Sequence, residues 1–472
     1  MNPNICLLIN FMVMNEPTRR MWTEFARLLS THGVQLVMLS TSPADPPLPF
    51  PVIDIPFLLR DYARQFPQVR PEGGRLTEQD WELLEADRLR AHNAYAAADA
   101  IPGLFICRHI MDQLLTTLDP GYVLTWDSTC PLAIITQDLC HKGGWPVQTI
   151  ERGLLPETLM IESRGIQAFS DLRTHWMAQE IPESAYDKAA FERIRAFYHE
   201  RKPQKYDQPS FSGGGEQLRE ELKLGDKKAV VFLGQYDPCG FAPPESQVRR
   251  SHSPIFRSTE DTLMNLWASL RQNPETALIF KPHPLDGNTY TPARKEGVRI
   301  LNKVNIHALI DLADVVVAQF TTLQFEAALY DKPVVLAARS AWWGRGATYE
   351  VHRREDLTAA VFAALRKRDW PAKSANARAF LTWIMDRWLI SCGTGAPARR
   401  TLDELAKYLA QTALDSGCTV SISDRLQAMK NLLSQWRPAP LPAPAPRQPT
   451  PSSEQRAKEL FGQRWSADAV AA

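Results

Sequence analysis

Lys281 and His283 stand two residues apart in Phe280-Lys281-Pro282-His283-Pro284, directly after an apolar run, and the two prolines fix the directions of both side chains. An ammonium beside an imidazole donor suits a phosphate. The same residues could form a rigid, solvated surface turn; the functional reading is preferred. A second set, Gln319-Phe320-Thr321-Thr322, follows another apolar run, with Glu326 one turn further on. Thr321 or Thr322 is placed to cap the next helix, whose free N–H groups and dipole would favour an anion, and Glu326 could accept from ribose hydroxyls. Plain capping is the ordinary alternative. In Thr149-Ile150-Glu151-Arg152-Gly153 a carboxylate and a guanidinium could act as base and anion clamp, or could pair to hold a turn. In Gly234-Gln235-Tyr236-Asp237 the glycine lets the chain turn close to a ligand, and Asp237 would project from a strand end, either toward that ligand or as an Asx-turn residue. Trp126-Asp127-Ser128 is a weaker fifth set, its tryptophan read more readily as core than as a sugar platform. There is no Gly-x-Gly-x-x-Gly loop, no Walker loop and no metal-ligand cluster of good spacing.

Four of these sets fall at the carboxyl ends of expected strands, where open α/β sheets bind their ligands. Ile5 to Ile9 reads as a strand, Thr18 to His32 as a helix ended by Gly33, and Val34 to Leu39 as the next strand, a βαβ unit with parallel strands. Residues 55–118 read as mostly helical. Tyr122 to Thr125 and Pro146 to Ile150 are strands around a helix from Pro131 to His141. Residues 201–227, with Pro203, Pro209 and the Ser210–Gly215 stretch, read as a linker. Alternation then resumes: strands at Ala229–Leu233, Ala277–Phe280, Val315–Ala318 and Val334–Ala337, with helices at Ser258–Gln272, Ile306–Leu312 and Leu323–Tyr330. Residues 355–435 read as helical. After Trp436 the chain is proline-rich, an extended spacer before a short amphipathic helix at Glu454–Trp465. The expected divisions are an acceptor-side domain at 1–205, a linker at 206–227 and a nucleotide-sugar domain at 228–372. Helices at 373–436 should pack along both, and 437–472 is the spacer with its helix. The fold class expected is α/β of GT-B type, two Rossmann-like doubly wound units around a central cleft, plus C-terminal helices.

A chain of 472 residues with 44% apolar residues is long enough for two such cores. A net charge of +1 gives no support to nucleic-acid binding. The seven cysteines are scattered and odd in number, which points to reduced thiols in a reducing compartment. Met1 to Leu8 lacks the basic region of a signal peptide, and no apolar run approaches the roughly 20 residues of a membrane span. The expected location is cytoplasmic, with a peripheral role at the inner membrane left open.

Taken in order along residues 120–350, one set of residues resembles the retaining β-Kdo transferases of bacterial capsule, O-antigen and lipopolysaccharide synthesis, which use CMP-Kdo. The set is Trp126-Asp127-Ser128, Glu151-Arg152-Gly153 with Leu155-Pro156, Gln235 with Asp237, and Lys281-Pro282-His283-Pro284. It continues with Thr321-Thr322, Phe325-Glu326-Ala327, Lys332-Pro333-Val334 and Trp343-Gly344. The resemblance implies CMP held by Lys281, His283 and Pro284 and by the hydroxyl-bearing turn Thr321-Thr322. Gln235, Glu326 and Arg152 would also lie at the donor, Arg152 at the sugar carboxylate. It also implies double displacement on a carboxylate nucleophile, for which Asp237 and Glu151 are the candidates. Asp237 is assigned as nucleophile and Glu151 as base, and the reverse stays open. The chain departs from the family in having threonine where serine is expected at 321 or 322, and Glu162 where aspartate is expected.

A CMP-sugar leaves as a phosphate monoester with a second pKa of about 6, which Lys281, His283 and a helix N-terminus could stabilise, so no metal and no other cofactor is expected. The expected partners are the CMP-sugar and an acceptor glycan, lipid-linked acceptors included, with no nucleic acid. Two other readings carry the same motifs: a nucleotide-dependent polyol-phosphate transferase of teichoic-acid type, and a catalytically silent scaffold joined to an envelope-assembly complex through the proline-rich tail.

Overall fold

In the computed structural model the described residues are 4–436, apart from 11–14, 42–45, 56–58, 70–75, 92–94, 174–186, 204–208, 210–212, 240–245, 393–394, 414–417 and 419. The spacer and helix expected within 437–472 lie outside them, as do parts of the expected linker.

The first sheet contains β1 (Asn4–Asn10), β2 (Val34–Ser40), β3 (Val52–Asp54), β4 (Tyr122–Trp126), β5 (Val147–Arg152) and β6 (Thr158–Glu162). Ile5 through Ile9 are all 0% exposed. A parallel strand covered on both faces reads as one continuous apolar run. Its side chains still alternate: Ile5, Leu7 and Ile9 enter one core, and Cys6 and Leu8 the other. β3-β2-β1-β4-β5 run parallel, and β6 folds back antiparallel on β5. The second sheet holds β7 (Lys228–Leu233), β8 (Thr276–Lys281), β9 (Arg299–Ile300), β10 (Val315–Ala318), β11 (Val334–Leu336) and β12 (Tyr349–Glu350). It is parallel throughout, in the order β12-β11-β10-β7-β8-β9. Both sheets reverse their direction of growth at the first strand, the arrangement that opens a ligand crevice at the strand ends. Two such Rossmann-like sheets make this an α/β chain of the GT-B fold.

The region read as helical after residue 355 does more than form helices. Between the helices Trp370–Arg387 and Leu402–Thr412, β13 (Ile390–Ser391) and β14 (Arg400–Thr401) complete the edge of the first sheet, β13 pairing antiparallel with β6. Two-residue strands carry no periodic signature, so sequence pattern misses them. The helix Ile422–Trp436 returns to the first sheet, where buried Arg425 donates to the carbonyl of Leu118 at 2.6 Å. That carbonyl ends the helix Ile101–Leu118, so Arg425 satisfies an otherwise orphaned acceptor.

The two sheets share a core. Leu154, Leu155, Met160 and Leu172 from the first half pack in one cluster with Phe325, Trp342 and Phe380 from the second. The Trp342 ring lies 4.6 Å from Phe325 and 5.7 Å from Phe380.

Part of the stretch expected as linker is packed structure. Gly215–Glu221 is a helix lying on the helix Ile306–Leu312, and the Gly215 N–H donates to Asp311 Oδ2 at 2.7 Å. A Cβ at Gly215 would sit 2.4 Å from the Leu312 nitrogen. The glycine serves close backbone approach here, where composition alone reads as flexibility. Gly215→Ala should therefore lower the urea midpoint, with a cost of about 1–3 kcal/mol for forced separation of the two helices. Gly213→Ala, where the clash is with the movable Gln217 side chain, should cost less.

Candidate functional site

The carboxyl end of β8 continues into the Lys281–Pro284 turn, and β7 ends beside it. The Gly234 N–H donates to the Lys281 carbonyl at 2.8 Å. A Cβ at Gly234 would stand 3.0 Å from that oxygen and 3.2 Å from the His283 nitrogen, so a glycine is needed where the two chains cross. The Tyr236 ring lies 5.9 Å from the His283 ring. His283 Nδ1 accepts the Leu285 N–H at 3.2 Å, which puts the proton of the neutral imidazole on Nε2. Pro284 is exposed.

Lys281 is 5% exposed, and its ammonium donates to the Pro282 carbonyl at 3.3 Å. Among the described residues no carboxylate forms an ion pair with it. Burial alone lowers its pKa. A buried cation without a counter-charge costs free energy that an arriving anion offsets.

Asp237 opens a short 3-10 turn after β7, with Gln235 and Tyr236 partly buried before it. It is not an Asx-turn residue. Its carboxylate accepts the Thr259 N–H, at 3.2 and 3.3 Å to its two oxygens, and the Thr259 hydroxyl, at the start of the helix Thr259–Leu270. Gln319 lies on the same turn: its Oε1 is 3.1 Å from the Thr259 hydroxyl, and its Nε2 donates to Thr262 Oγ1 at 2.7 Å. Burial raises the Asp237 pKa to about 7, with Asp286 and Glu260 adding to the shift and the Thr259 bonds opposing it.

The threonine cap differs from expectation. Thr322 holds the N-cap position of the helix Leu323–Leu329 in right-handed helical geometry and makes no side-chain cap bond. Thr321 Oγ1 meets the Leu323 N–H only at 3.5 Å. The turn is held by Gln324, which the sequence reading passed over. Its Nε2 donates to the Thr321 carbonyl at 2.7 Å, while its Oε1 accepts from Ser340 at 2.9 Å and from the Trp342 indole at 2.6 Å. Gln324, Ser340 and Trp342 are all 0% exposed. Glu326, expected at a ribose, is 3% exposed and close enough to Tyr198 and Tyr330 to oppose their ionisation. The structure sets it among interior tyrosines.

In the first sheet, strand parity separates Glu151 from Arg152. Cross-strand partners share a face, and the register pairs Glu151 with Met160 and Arg152 with Leu159. Met160 belongs to the core shared by the two sheets, whereas Leu159 belongs to the core on the opposite face. Arg152 acts electrostatically on Cys392, which packs against that opposite core. The two residues therefore cannot act side by side as base and clamp, and Arg152 is directed away from the face that Glu151 shares with the second half.

Glu162 joins Glu151 on that face. It pairs with Thr149, one diagonal step from Glu151. Fully buried, it accepts from Ser170 Oγ at 2.8 Å, the Asp171 N–H at 2.6 Å and the Trp388 indole at 3.1 Å, and burial raises its pKa to about 8. At neutral pH it is mostly a neutral acid. Trp126 packs edge-on against Trp22 with centroids 5.9 Å apart, as a core residue. Asp127, at a φ of 71°, accepts from Arg90 at 3.0 Å and from Thr129. Ser128 Oγ takes the Ile166 N–H at 3.3 Å.

The halves touch through specific groups. The His252 ring lies 4.9 Å from Phe169 of the first half and 5.4 Å from Phe320 of the second. Arg345 Nη2 donates to the carbonyls of Arg173 at 2.9 Å and Leu172 at 3.4 Å. Among the described residues no group of three or more His, Cys, Asp or Glu is placed to hold a metal ion, and no helix is long and apolar enough to cross a membrane.

No protein-family model matches the chain, and no curated protein matches it. Solved structures do. A β-Kdo 2,7 transferase, KpsC of Thermosulfurimonas dismutans, is 17% identical over 75% of this chain and 95% of that one, with a TM-score of 0.36. The β-Kdo 2,4 transferase of the same organism's KpsC is 19% identical over 52% of this chain and 79% of that one, TM-score 0.35. The UDP-GlcNAc 2-epimerase of Methanocaldococcus jannaschii, in complex with UDP-GlcNAc and UDP, is 13% identical over 86% and 99%, TM-score 0.38. At such scores the likeness carries no argument about this chain's chemistry.

Asp237 and Glu162 keep protons in the folded state that the unfolded chain releases near pH 4. Through them stability falls as pH rises from about 4 toward about 8. Glu162→Gln cannot titrate. Its stability relative to the parent protein should rise across that interval, by at most about 1.4 kcal/mol per pH unit, and level off above it. Urea midpoints for both proteins across the range test this; a difference independent of pH would show that Glu162 ionises normally.

Proposed function

We propose that this chain is a glycosyltransferase that transfers Kdo from CMP-Kdo, with retention of configuration, to a glycan of the bacterial surface, working at the cytoplasmic side of the inner membrane. The observation that carries the reading is Lys281, an ammonium buried at the end of β8 with no ion-paired carboxylate among the described residues, next to a histidine whose Nε2 carries a proton. That pair suits the single phosphate of CMP. The turn Thr321-Thr322, fixed by Gln324 at the end of β10 one strand beyond β7, offers hydroxyls and backbone N–H groups to the same donor.

The first displacement uses the Asp237 carboxylate. Its oxygen forms a bond to the anomeric carbon, and the bond to CMP breaks, its electron pair leaving on the phosphate oxygen beside Lys281 and His283. The phosphate is a good leaving group and needs no strong acid. In the second displacement Glu151 takes the proton of the acceptor hydroxyl, the acceptor oxygen attacks the anomeric carbon, and the Asp237 carboxylate is released. Two inversions give net retention. Glu162, protonated at neutral pH on the Glu151 face, adds no second negative charge there and leaves Glu151 as the base. The Lys281 ammonium supplies the charge and His283 Nε2–H a donor at the leaving group, so turnover should persist in excess EDTA; loss that magnesium or manganese restores would overturn that part.

Calorimetric titration with CMP tests the nucleotide site: His283→Ala and Lys281→Ala should each weaken binding by about 1–3 kcal/mol. Unchanged affinity in both would remove the turn from the donor site. Asp237→Asn should bind CMP normally and turn over scarcely at all. Because the nucleophile must be ionised, kcat/KM should rise with pH through about 7. A profile flat across that pH, or turnover surviving in Asp237→Asn, would take Asp237 out of the role.

A further inference from the structure

Asp237 keeps a partly exposed surface, yet the side chains around its carboxylate are wholly buried: Thr259, Thr262 and Gln319 are each 0% exposed. Burying two hydroxyls and an amide costs free energy unless each is bonded, and apolar side chains would fill the same space without that cost. The helix Thr259–Leu270 has its own cap in Ser258, which accepts the Asp261 N–H at 3.0 Å. The buried bonds run instead to the partly exposed member of the set, the Asp237 carboxylate.

The order of donors and acceptors along these bonds is fixed by the protons each group owns. The Thr262 hydroxyl donates to the Ser258 carbonyl at 3.2 Å, so its oxygen meets Gln319 as an acceptor and takes the Nε2–H at 2.7 Å. That turns Gln319 Oε1 toward Thr259, 3.1 Å from the hydroxyl oxygen. Thr259 has one hydroxyl proton and two acceptors for it, Gln319 Oε1 and Asp237 Oδ1. When Asp237 is ionised, the proton goes to the carboxylate and the Gln319 oxygen faces a lone pair. When Asp237 holds a proton, it donates to the Thr259 oxygen and Thr259 donates on to Gln319. Thr259 thus favours the carboxylate and Gln319 the acid, in a group that burial brings to a pKa of about 7. Gln319 also stands two residues before Thr321, so the same bonds join the expected nucleotide turn to Asp237.

We propose that Thr259 and Gln319 are positioning residues for Asp237: a single hydroxyl proton, shared between the carboxylate and a buried amide, aims the carboxylate and sets how readily it gives up its own proton. The proposal rests on the nucleophile role read above. Other charges act on Asp237 from outside these bonds. Asp286 lies on the turn after β8, bonded to Tyr290, and Glu260 stands beside Thr259. The helix Glu78–Arg90 of the first half also approaches the turn, its Asp80 paired with Arg108, its Asp87 bonded to Tyr95 and its Arg90 paired with Asp127. Substitutions at 259, 262 and 319 leave all of these in place, so a shift in ionisation reports the shared proton.

The test is the pH profile of kcat/KM for transfer from CMP-Kdo by the full chain. Thr259→Val should move the inflection upward by about half to one pH unit and lower the plateau of kcat about tenfold, with CMP affinity as in the parent protein. Thr259→Ser should restore both. Gln319→Met should move the inflection downward, because the Thr259 proton then belongs to the carboxylate alone. Thr262→Val frees the amide to turn its Nε2–H toward Thr259; it should have the same effect and stands in if Gln319→Met does not fold. An inflection that Thr259→Val leaves in place would overturn the proposal. An inflection that the Gln319 or Thr262 variant leaves in place, or moves upward, would overturn the shared proton. If the parent protein transfers nothing from CMP-Kdo, or Asp237→Asn stays active, the nucleophile reading fails. The shared proton is then judged by carbon-13 NMR titration of the aspartate carboxyls, with Asp237→Asn identifying the signal. Opposed shifts in Thr259→Val and Gln319→Met support it, and equal or absent shifts overturn it.

Discussion

A parallel sheet buried on both faces has nowhere to put polar chemistry except at the ends of its strands, and this constraint shapes everything else in the molecule. Lys228 through Leu233 and Val315 through Ala318 give their side chains almost wholly to core. The first polar groups after them are Gln235, Asp237, Gln319 and Thr321. Their orientation is set by a few buried bonds. Gln324 ties the threonine turn to Ser340 and Trp342, and Thr259 ties Asp237 to a helix start and, with Thr262, to Gln319. The same Trp342 packs in the core that both sheets share. The loop geometry and the junction between halves are therefore fixed by one set of contacts.

Burial at these strand ends acts on charges of both signs. It lowers the pKa values of Lys281, Arg173 and Arg345, and raises those of Asp237 and Glu162. In each case desolvation by burial is the largest cause and disfavours the charged form. Structural ion pairs elsewhere in the protein look different: Arg354 grips Asp261 with two bonds, at 2.8 and 2.7 Å, and lowers its pKa. The contrast separates a carboxylate stabilised by its ion pair from groups whose charged forms burial disfavours.

Much of the frame was legible in the sequence, because its strands are unbroken apolar runs and its glycines end helices where expected, as Gly33 does with a φ of 76°. What escaped was decided by distance in space. The two-residue strands β13 and β14 have too few residues to show a period. Gly215 looked like a linker residue because composition cannot tell flexibility from tight approach. Glu151 and Arg152 read as a pair because they are neighbours, although neighbours in a strand point to opposite faces. Thr321 and Thr322 matched a capping pattern, but a buried glutamine three residues after Thr321 holds that turn.

The separation of charges bears directly on the displacement proposed for Asp237. A nucleophile and its leaving group must lie on opposite sides of the reacting carbon, so cations that stabilise departing phosphate should not pair with the attacking carboxylate. A Lys281–Asp237 ion pair would quench both: it would neutralise the ammonium needed by the phosphate and lower the basicity of the carboxylate. The structure avoids that pairing. Asp237 is bonded to Thr259, the charges acting on it come from Asp286 and Glu260, and Lys281 is bonded to a carbonyl of its own turn. In the proposed role, a carboxylate oriented by neutral donors and kept basic by burial would retain its electron pair for carbon. On the same proposal the Lys281 ammonium, bonded to a carbonyl and not to Asp237, would contribute most when charge arrives at the phosphate in the transition state.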